Sequence, residues 1–349
     1  MKISILLPYK ENFSPIYPGS VSLFLKDNIP LSKYKKNIIV YGNTNFKKKL
    51  LKNYTNLEFK KFFFKSSSKS YLIKFLEHED LKKSDLIEIH NRPNYVNTIY
   101  KENKNIVLYF HNDPLKMKSS ITINDRKDIL KKTSMIIFNS KWTLNQFTKG
   151  LMKNEYNNKI SIIHQSTNKK KIDFKKKKKI ILFVGRLNKS KGYDIFGKAS
   201  INILKKHPDW EVVAIGDEPR EKIFFNHKKF KTLGFLNYKK VTSWFKKSDI
   251  SVICSRIDEP FGRTALEASS SGCAVIITDR GGLSEASPKA IKLKNLTIKN
   301  LENAIIKIVK NEKFKKSLQR KIYKNFSLTN DNISRKIDTY RDKLILNKL

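Results

Sequence analysis

The stretch Asp258-Glu259-Pro260-Phe261-Gly262-Arg263-Thr264-Ala265-Leu266-Glu267-Ala268 lies between two apolar runs, Ile250-Ser251-Val252-Ile253-Cys254 and Cys273-Ala274-Val275-Ile276-Ile277. Short apolar runs with such borders read as buried strands. Strand, loop, helix, strand is the repeating unit of a parallel sheet, and ligands of such sheets sit at the carboxyl ends of the strands. Glu259 therefore falls in a loop at the mouth of the sheet. Gly262 lets the chain turn tightly, and Thr264 to Ala268 form the first turns of a helix whose free N–H groups favour an anion. Glu259 and Glu267, eight positions apart, can grip hydroxyls while backbone amides near Phe261, Gly262 and Arg263 face a phosphate. That chemistry suits a nucleotide-sugar; an ordinary loop with two surface glutamates is the plain alternative.

A second loop supports the first. The strand Ile180-Ile181-Leu182-Phe183-Val184 delivers Gly185 and Arg186 to the sheet mouth, and Lys191-Gly192 follow. Two cations five positions apart across a tight loop can hold a diphosphate, arginine as a planar fork and lysine as a point charge. These segments, with Gly272-Cys273-Ala274-Val275-Ile276 and Gly281-Gly282-Leu283-Ser284-Glu285, resemble the retaining glycosyltransferases of family 4, also called glycosyl transferases group 1. The resemblance is strong over Lys179–Ala286 and ordered but weak over the first 165 residues.

The resemblance implies an α/β chain of the GT-B fold: two facing Rossmann-like αβα domains, an interdomain cleft holding the active site, and a C-terminal helix crossing back to the first domain. It implies transfer of a sugar from a nucleotide-diphosphate-sugar to a hydroxyl of a glycan or lipid-linked acceptor, with retention, in lipopolysaccharide, capsule or glycolipid synthesis. Arg186 and Lys191 would neutralise the leaving diphosphate, Glu259 would hold the donor sugar and Glu267 the ribose hydroxyls. Gly185 and Thr264 belong to the same donor site, and Leu233-Gly234-Phe235-Leu236 resembles the segment whose backbone reads the base. The chain has no Asp-x-Asp motif, so neither metal nor other cofactor is expected. A same-fold nucleotide-sugar epimerase and a basic adaptor that has lost catalysis are the alternatives.

In the first half, Tyr17-Pro18-Gly19-Ser20 follows the strand Ile3–Leu7. Gly19 and Ser20 stand where the family carries a first-loop glycine motif, which would admit a phosphate to the backbone; a simple turn glycine is the alternative. Strands Asp85–His90 and Ile106–Phe110 end at His90 and His111. Either histidine, at the mouth of a sheet, can bond a substrate hydroxyl or move a proton. The resemblance favours His111, near the transferred sugar. Ser140, after the strand Ser134–Phe138, can cap the next helix. Phe62-Phe63-Phe64 reads as the end of a strand Leu57–Phe64, Lys65–Ser70 as an exposed loop, and Tyr71–Glu79 as a helix.

Length points to two domains. The densest run of like charge, within Lys169–Lys179, reads as an extended, solvated linker. This divides the chain into an acceptor-side domain 1–168, a linker 169–179, a donor domain 180–325 and a crossover helix 326–349. No apolar stretch approaches the twenty or so residues of a membrane span, and the N-terminal apolar run is too short for a signal peptide. Cys254 and Cys273, the two cysteines, sit in apolar strands and read as buried thiols in a reducing cytoplasm.

The formal net charge is +42, from 73 Lys and Arg against 31 Asp and Glu. Lysine predominates and is spread along the whole chain, as an A/T-rich genome would produce. Acidic lipid headgroups remain a fitting partner, each cation near such a surface contributing about 1 kcal/mol. That suits a cytoplasmic protein lying peripherally on the inner membrane face. No helix-turn-helix, RNA-recognition or zinc pattern supports a specific nucleic-acid partner.

Overall fold

Continuous apolar runs, rather than alternating ones, are what a parallel sheet covered on both faces requires, and the chain builds two such sheets. The computed structural model describes residues 2–59, 66–101 and 105–346. It divides into one unit of Met1–Ser166 with Asn330–Leu349 and a second of Thr167–Thr329.

The first unit holds β1 (Ile3–Leu6), β2 (Ile38–Gly42), β3 (Tyr54–Asn56), β4 (Leu86–His90), β5 (Ile106–Phe110), β6 (Met135–Phe138) and β7 (Ile160–Ile162). They pair in the order β3-β2-β1-β4-β5-β6-β7, every neighbouring pair parallel. Crossovers are made by α1 (Ser20–Asn28), α2 (Ser67–Lys82), α3 (Val96–Ile99), α4 (Ile123–Lys132) and α5 (Lys141–Thr148). Strand order reverses between β1 and β4, which makes that edge the unit's switch point.

The second unit repeats the plan with β8 (Lys178–Val184), β9 (Glu211–Ile215), β10 (Phe230–Thr232), β11 (Ser248–Ile253), β12 (Ala274–Thr278) and β13 (Ile291–Leu293). Their order is β10-β9-β8-β11-β12-β13, again parallel throughout. Helices α6 (Tyr193–Lys206), α7 (Tyr238–Lys247), α8 (Arg263–Ser270), α9 (Leu283–Ala286), α10 (Ile298–Val309) and α11 (Glu312–Lys324) cover it. The switch point falls between β8 and β11, so the loops after Val184 and Ile253 meet at one place. Cys254 and Cys273 are free and buried, and burial pushes the Cys254 thiol up to about 12.

Two local expectations change, and one falls on residues that are not described. The serines before Tyr71 do not form a loop. Ser66 caps α2, its side chain accepting from the Lys69 amide, and helix begins at Ser67; a short hydroxyl at an N-cap satisfies an orphan N–H. The reading of Phe62-Phe63-Phe64 as strand lies outside the described residues.

The other change concerns the lysine run: most of its lysines are exposed, as a solvated segment requires, but its backbone is fastened to the second unit. The Lys170 amide donates to the Ser270 carbonyl at 3.0 Å, and Lys178 and Lys179 open β8. Lys177 donates to the Ser248 and Phe245 carbonyls at 2.8 and 3.3 Å, at the end of α7, where unsatisfied carbonyls attract a cation. Ile172 and Phe174, interleaved with the lysines, pack at Gly272.

The helix α12 (Asn330–Leu346) belongs to the first unit. Its anchor is a carboxylate inside the sheet: Glu88 in β4 is fully buried. Arg341 meets it with both ends of its fork, Nε to Oε1 at 2.8 Å and Nη2 to Oε2 at 2.9 Å. Tyr340 also donates to Glu88, at 2.7 Å.

Candidate functional site

Gly185 leaves β8 with φ +154, its amide bound to the Ile215 carbonyl at 3.0 Å. A Cβ at Gly216 would strike the Gly185 carbonyl, and Gly192, also at positive φ, leaves no room for one against the Cys254 carbonyl. The first approach packs the loop after β8 against the end of β9, and the second packs it against the end of β11. Asn188 then caps the turn Lys189–Lys191 by accepting from the Lys191 amide at 3.0 Å. The Lys191 ammonium is thereby aimed at the loop after β11, where it pairs with Glu259.

Glu259 is held from three sides. Ser255 Oγ donates to its carboxylate at 2.5 Å. Its carbonyl accepts from the Gly282 amide at 2.6 Å, and the residue forms a parallel bridge with Gly281. Gly281 is left-handed, at φ +58, and a Cβ there would meet the Glu259 backbone. The downstream Gly281-Gly282 thus exists to support the glutamate loop. Gly262, at φ +105, starts α8, and no side chain caps that start. Its first amides and the positive end of the helix dipole therefore face outward.

These groups surround a cavity of about 70 Å³ lined by Gly185, Lys191, Ser255, Glu259, Gly262 and Thr264, among others. It accommodates one group of a ligand, beside a cation and an uncapped helix start. Arg263 also reaches its wall, donating through Nε to Glu267 at 2.9 Å, so Glu267 stands one turn into α8.

Other expected residues lie elsewhere. Arg186 is exposed and outside the cavity wall. Phe261 is only 2% exposed and belongs to the core, which leaves its backbone alone to face a ligand. Gly234 takes φ +63 and accepts the Gly216 amide at 2.9 Å, beside Phe235, which is half exposed; neither lines the cavity. Among the described residues no group of three His, Cys, Asp or Glu side chains is arranged to hold a metal ion.

In the first unit the loop expected to receive a phosphate carries a carboxylate of its own. Gly19 is the N-cap of α1, and Glu11 accepts the Ser22 amide at 3.0 Å. A Cβ at Gly19 would collide with that carboxylate. Burial raises the Glu11 pKa, against the lowering effect of the Ser22 bonds.

His111 and His90, weighed above as alternatives, form a pair: His90 Nδ1 lies 2.9 Å from His111 Nε2. Both are buried, and His90 stacks on Tyr109 with ring centres 4.3 Å apart. Burial, then the charge of Arg341, lowers His90 to about 3; burial, then His90, lowers His111. The pair is neutral and shares one hydrogen. Ser140, as expected, caps α5 by accepting the Thr143 amide at 3.0 Å. Reading the sequence missed Ser255, Asn188 and the Glu88–Arg341 anchor. Asn188 carries a cap signature; Ser255 and the anchor depend on partners that spacing does not reveal.

Two parallel-sheet α/β units, each with a switch point, define the GT-B class of fold. Residues 164–325 match the model of the family Glycosyl transferases group 1. Among individual proteins, spore coat protein SA of Bacillus subtilis is 36% identical over 30% of this chain and 31% of its own. Putative glycosyltransferase YtcC of the same organism is 29% identical over 59% of each. The chain therefore spans between about three-tenths and three-fifths of these curated relatives. A crystal structure of Anabaena Alr3699/HepE in complex with UDP-glucose aligns with TM-score 0.74 at 15% identity, covering 98% of this chain and 100% of that one.

Proposed function

We propose that the chain is a retaining glycosyltransferase that moves a sugar from a nucleotide-diphosphate-sugar to a hydroxyl of a glycan or lipid-linked acceptor. The observation that carries this reading is the convergence of Lys191, Glu259 and the uncapped start of α8 on one cavity at the second switch point. An ammonium has three donors. With one on Glu259, two are left for a phosphate oxygen, and the outward amides of α8 supply neutral donors beside it. As the sugar–phosphate bond breaks, negative charge grows on the leaving diphosphate, and fixed donors stabilise it there more than in the ground state. Arg186, exposed at the rim of the same loop, adds its fork once a donor is bound.

In this reading Glu259 takes the donor sugar's hydroxyls, its loop held by Ser255 and Gly282, while Glu267 takes the ribose. The solved Anabaena structure holds UDP-glucose, which supports a nucleotide-sugar donor here. We further propose that no metal is needed, because lysine, arginine and helix dipole provide the positive charge. The basic surface would draw the protein to anionic lipid on the cytoplasmic face of a membrane, in surface-polysaccharide or glycolipid synthesis.

The test is thermal stabilisation against a panel of nucleotides and nucleotide-sugars, with and without EDTA. A ligand of the folded state raises the midpoint by mass action. We expect a rise with one diphosphate-sugar, insensitive to EDTA and lost in Arg186→Ala and Glu267→Ala. Absence of any shift would overturn the reading, and conversion of the donor with no acceptor present would mark an epimerase instead.

A further inference from the structure

The first unit has a larger cavity, about 710 Å³, at the carboxyl edge of β4 and β5. Four cations line it, Arg92, Lys69, Lys116 and Lys118, and among the described residues no carboxylate does. Asn94 and Asn112 add neutral polar groups. The volume is that of a small-molecule site.

Arg92 is the member that a basic composition does not explain. It follows Asn91, a non-glycine residue held in the left-handed region at φ +58. Such strain persists only where the surroundings enforce it, and it gathers at functional sites. The enforcement is visible: Asn91 Oδ1 accepts the amides of His111 and Asn112, each at 3.2 Å, which ties the end of β4 to the end of β5. Arg92 Nη1 donates to the Asn91 carbonyl at 2.8 Å. Among the described residues it makes no ion pair. Its charge is felt by Glu11, whose carboxylate is already bound to the Ser22 amide. Lys116 is 3.8 Å from Asp113 and highly exposed, a weak tie that leaves its ammonium available. A groove in the second unit lined by Lys171, Lys176, Lys239, Lys246 and Lys247 has comparable size, about 570 Å³, but no strained turn or arginine fork, and Asp173 shares its wall.

We propose that the Arg92 cavity is the acceptor site and that the acceptor carries a phosphate, gripped by the Arg92 fork with Lys69 and Lys116 beside it. A guanidinium pre-set by its own backbone loses little freedom on binding and matches phosphate oxygens in pairs. The phosphate can belong to a free sugar phosphate or to a lipid-linked sugar diphosphate; the chemistry is shared. Calling the ligand an acceptor rests on the transferase reading, whereas binding of the anion does not.

The experiment is calorimetric titration of the full chain, at fixed ionic strength, with glucose, glucose 1-phosphate, and a short polyprenyl diphosphate sugar in mixed micelles. We expect saturable binding of at least one phosphorylated probe, none of glucose, and at least a tenfold loss in Arg92→Gln with partial recovery in Arg92→Lys. Lys239→Gln with Lys246→Gln should bind as the wild type does, which separates the site from general basicity. If Arg92→Gln does not fold, Lys69→Gln with Lys116→Gln takes its place. Binding of the micellar probe alone assigns the lipid-linked source, and binding of both supports the shared chemistry. Equal affinity in wild type and Arg92→Gln, or no binding of either phosphorylated probe, overturns the inference. Donor-induced stabilisation, measured on the same variants, should persist, because its residues lie in the second unit. Its absence beside Arg92-dependent phosphate binding would sink the transferase reading and leave the anion site standing.

Discussion

His90 and His111 illustrate how burial sets chemistry at a single pair of residues. With both rings neutral, one hydrogen bridges Nδ1 of His90 and Nε2 of His111. The outer nitrogens, His90 Nε2 and His111 Nδ1, have no hydrogen-bond partner among the described residues. One of the two must carry a hydrogen, so the pair stores an unused donor at the mouth of the first sheet. The folded pKa of His90 is depressed to about 3 from an unfolded value near 6.5. Between those values the unfolded chain binds more protons, so the stability is fully present above about pH 6.5 and is lost as pH falls below it. His111 acts in the same direction. We expect stability from urea unfolding to drop between pH 6.5 and 5.5 by up to about 1.4 kcal/mol per histidine per pH unit, and the slope to be shallower in His90→Gln. A flat profile over that interval would exclude the neutral pair. The sequence located both histidines at strand ends, but their pairing comes from the register of β4 beside β5, where His90 faces Tyr109.

At the scale of the element, α12 is fastened by charge as much as by apolar contact. Arg341 donates to Glu88, and also to Ser32 at 3.1 Å and Asp338 at 3.2 Å; Tyr340 meets Tyr109. Ile333 and Ile337 are buried beside them. Breaking a buried ion pair from one side leaves an uncompensated charge and costs about 3–5 kcal/mol, whereas replacing both members by apolar groups costs far less. Arg341→Met should therefore lower stability by that amount in denaturant unfolding, and Glu88→Met with Arg341→Met should recover much of it. Arg335, whose pair with Asp331 is about two-thirds exposed, serves as control: Arg335→Ala should change stability by less than about 1 kcal/mol. Equal losses for Arg341→Met and Arg335→Ala would show that the anchor contributes little. The resemblance implied a C-terminal helix crossing back to the first domain, and α12 belongs to the first unit. The pair that fastens it was not legible, since Glu88 lies 253 positions from Arg341.

At the scale of the whole molecule, the charge of +42 is spread along both units and opposes compaction. Self-repulsion of this kind destabilises the folded state, and salt relieves it, the Debye length falling from about 30 Å at 0.01 M to about 8 Å at 0.15 M. The melting midpoint should rise as sodium chloride is raised from 10 to 150 mM. A fall or no change would mean that attractive pairs such as Lys206–Glu302 at 2.8 Å and Lys179–Asp209 at 2.6 Å outweigh the excess of like charge. Folding copes with the excess by placing lysine ammonium groups in solvent and using a few as donors inside the structure, Lys177 half-buried and Lys315 buried.

The sequence by itself determined the alternation of strand and helix, the two sheets, and the loops that carry Gly185, Lys191, Glu259 and Gly262. Those properties are local: apolar runs bury, crossovers force parallel pairing, and glycine accepts the tight turns at Gly185 and Gly262. Only the tertiary structure decided which charges meet. Lys191 with Glu259, Glu11 at the start of α1, His90 with His111, Arg341 with Glu88 and the strained Asn91 beneath Arg92 all join segments distant in sequence. Their energies depend on separation and burial, which spacing along a chain does not encode.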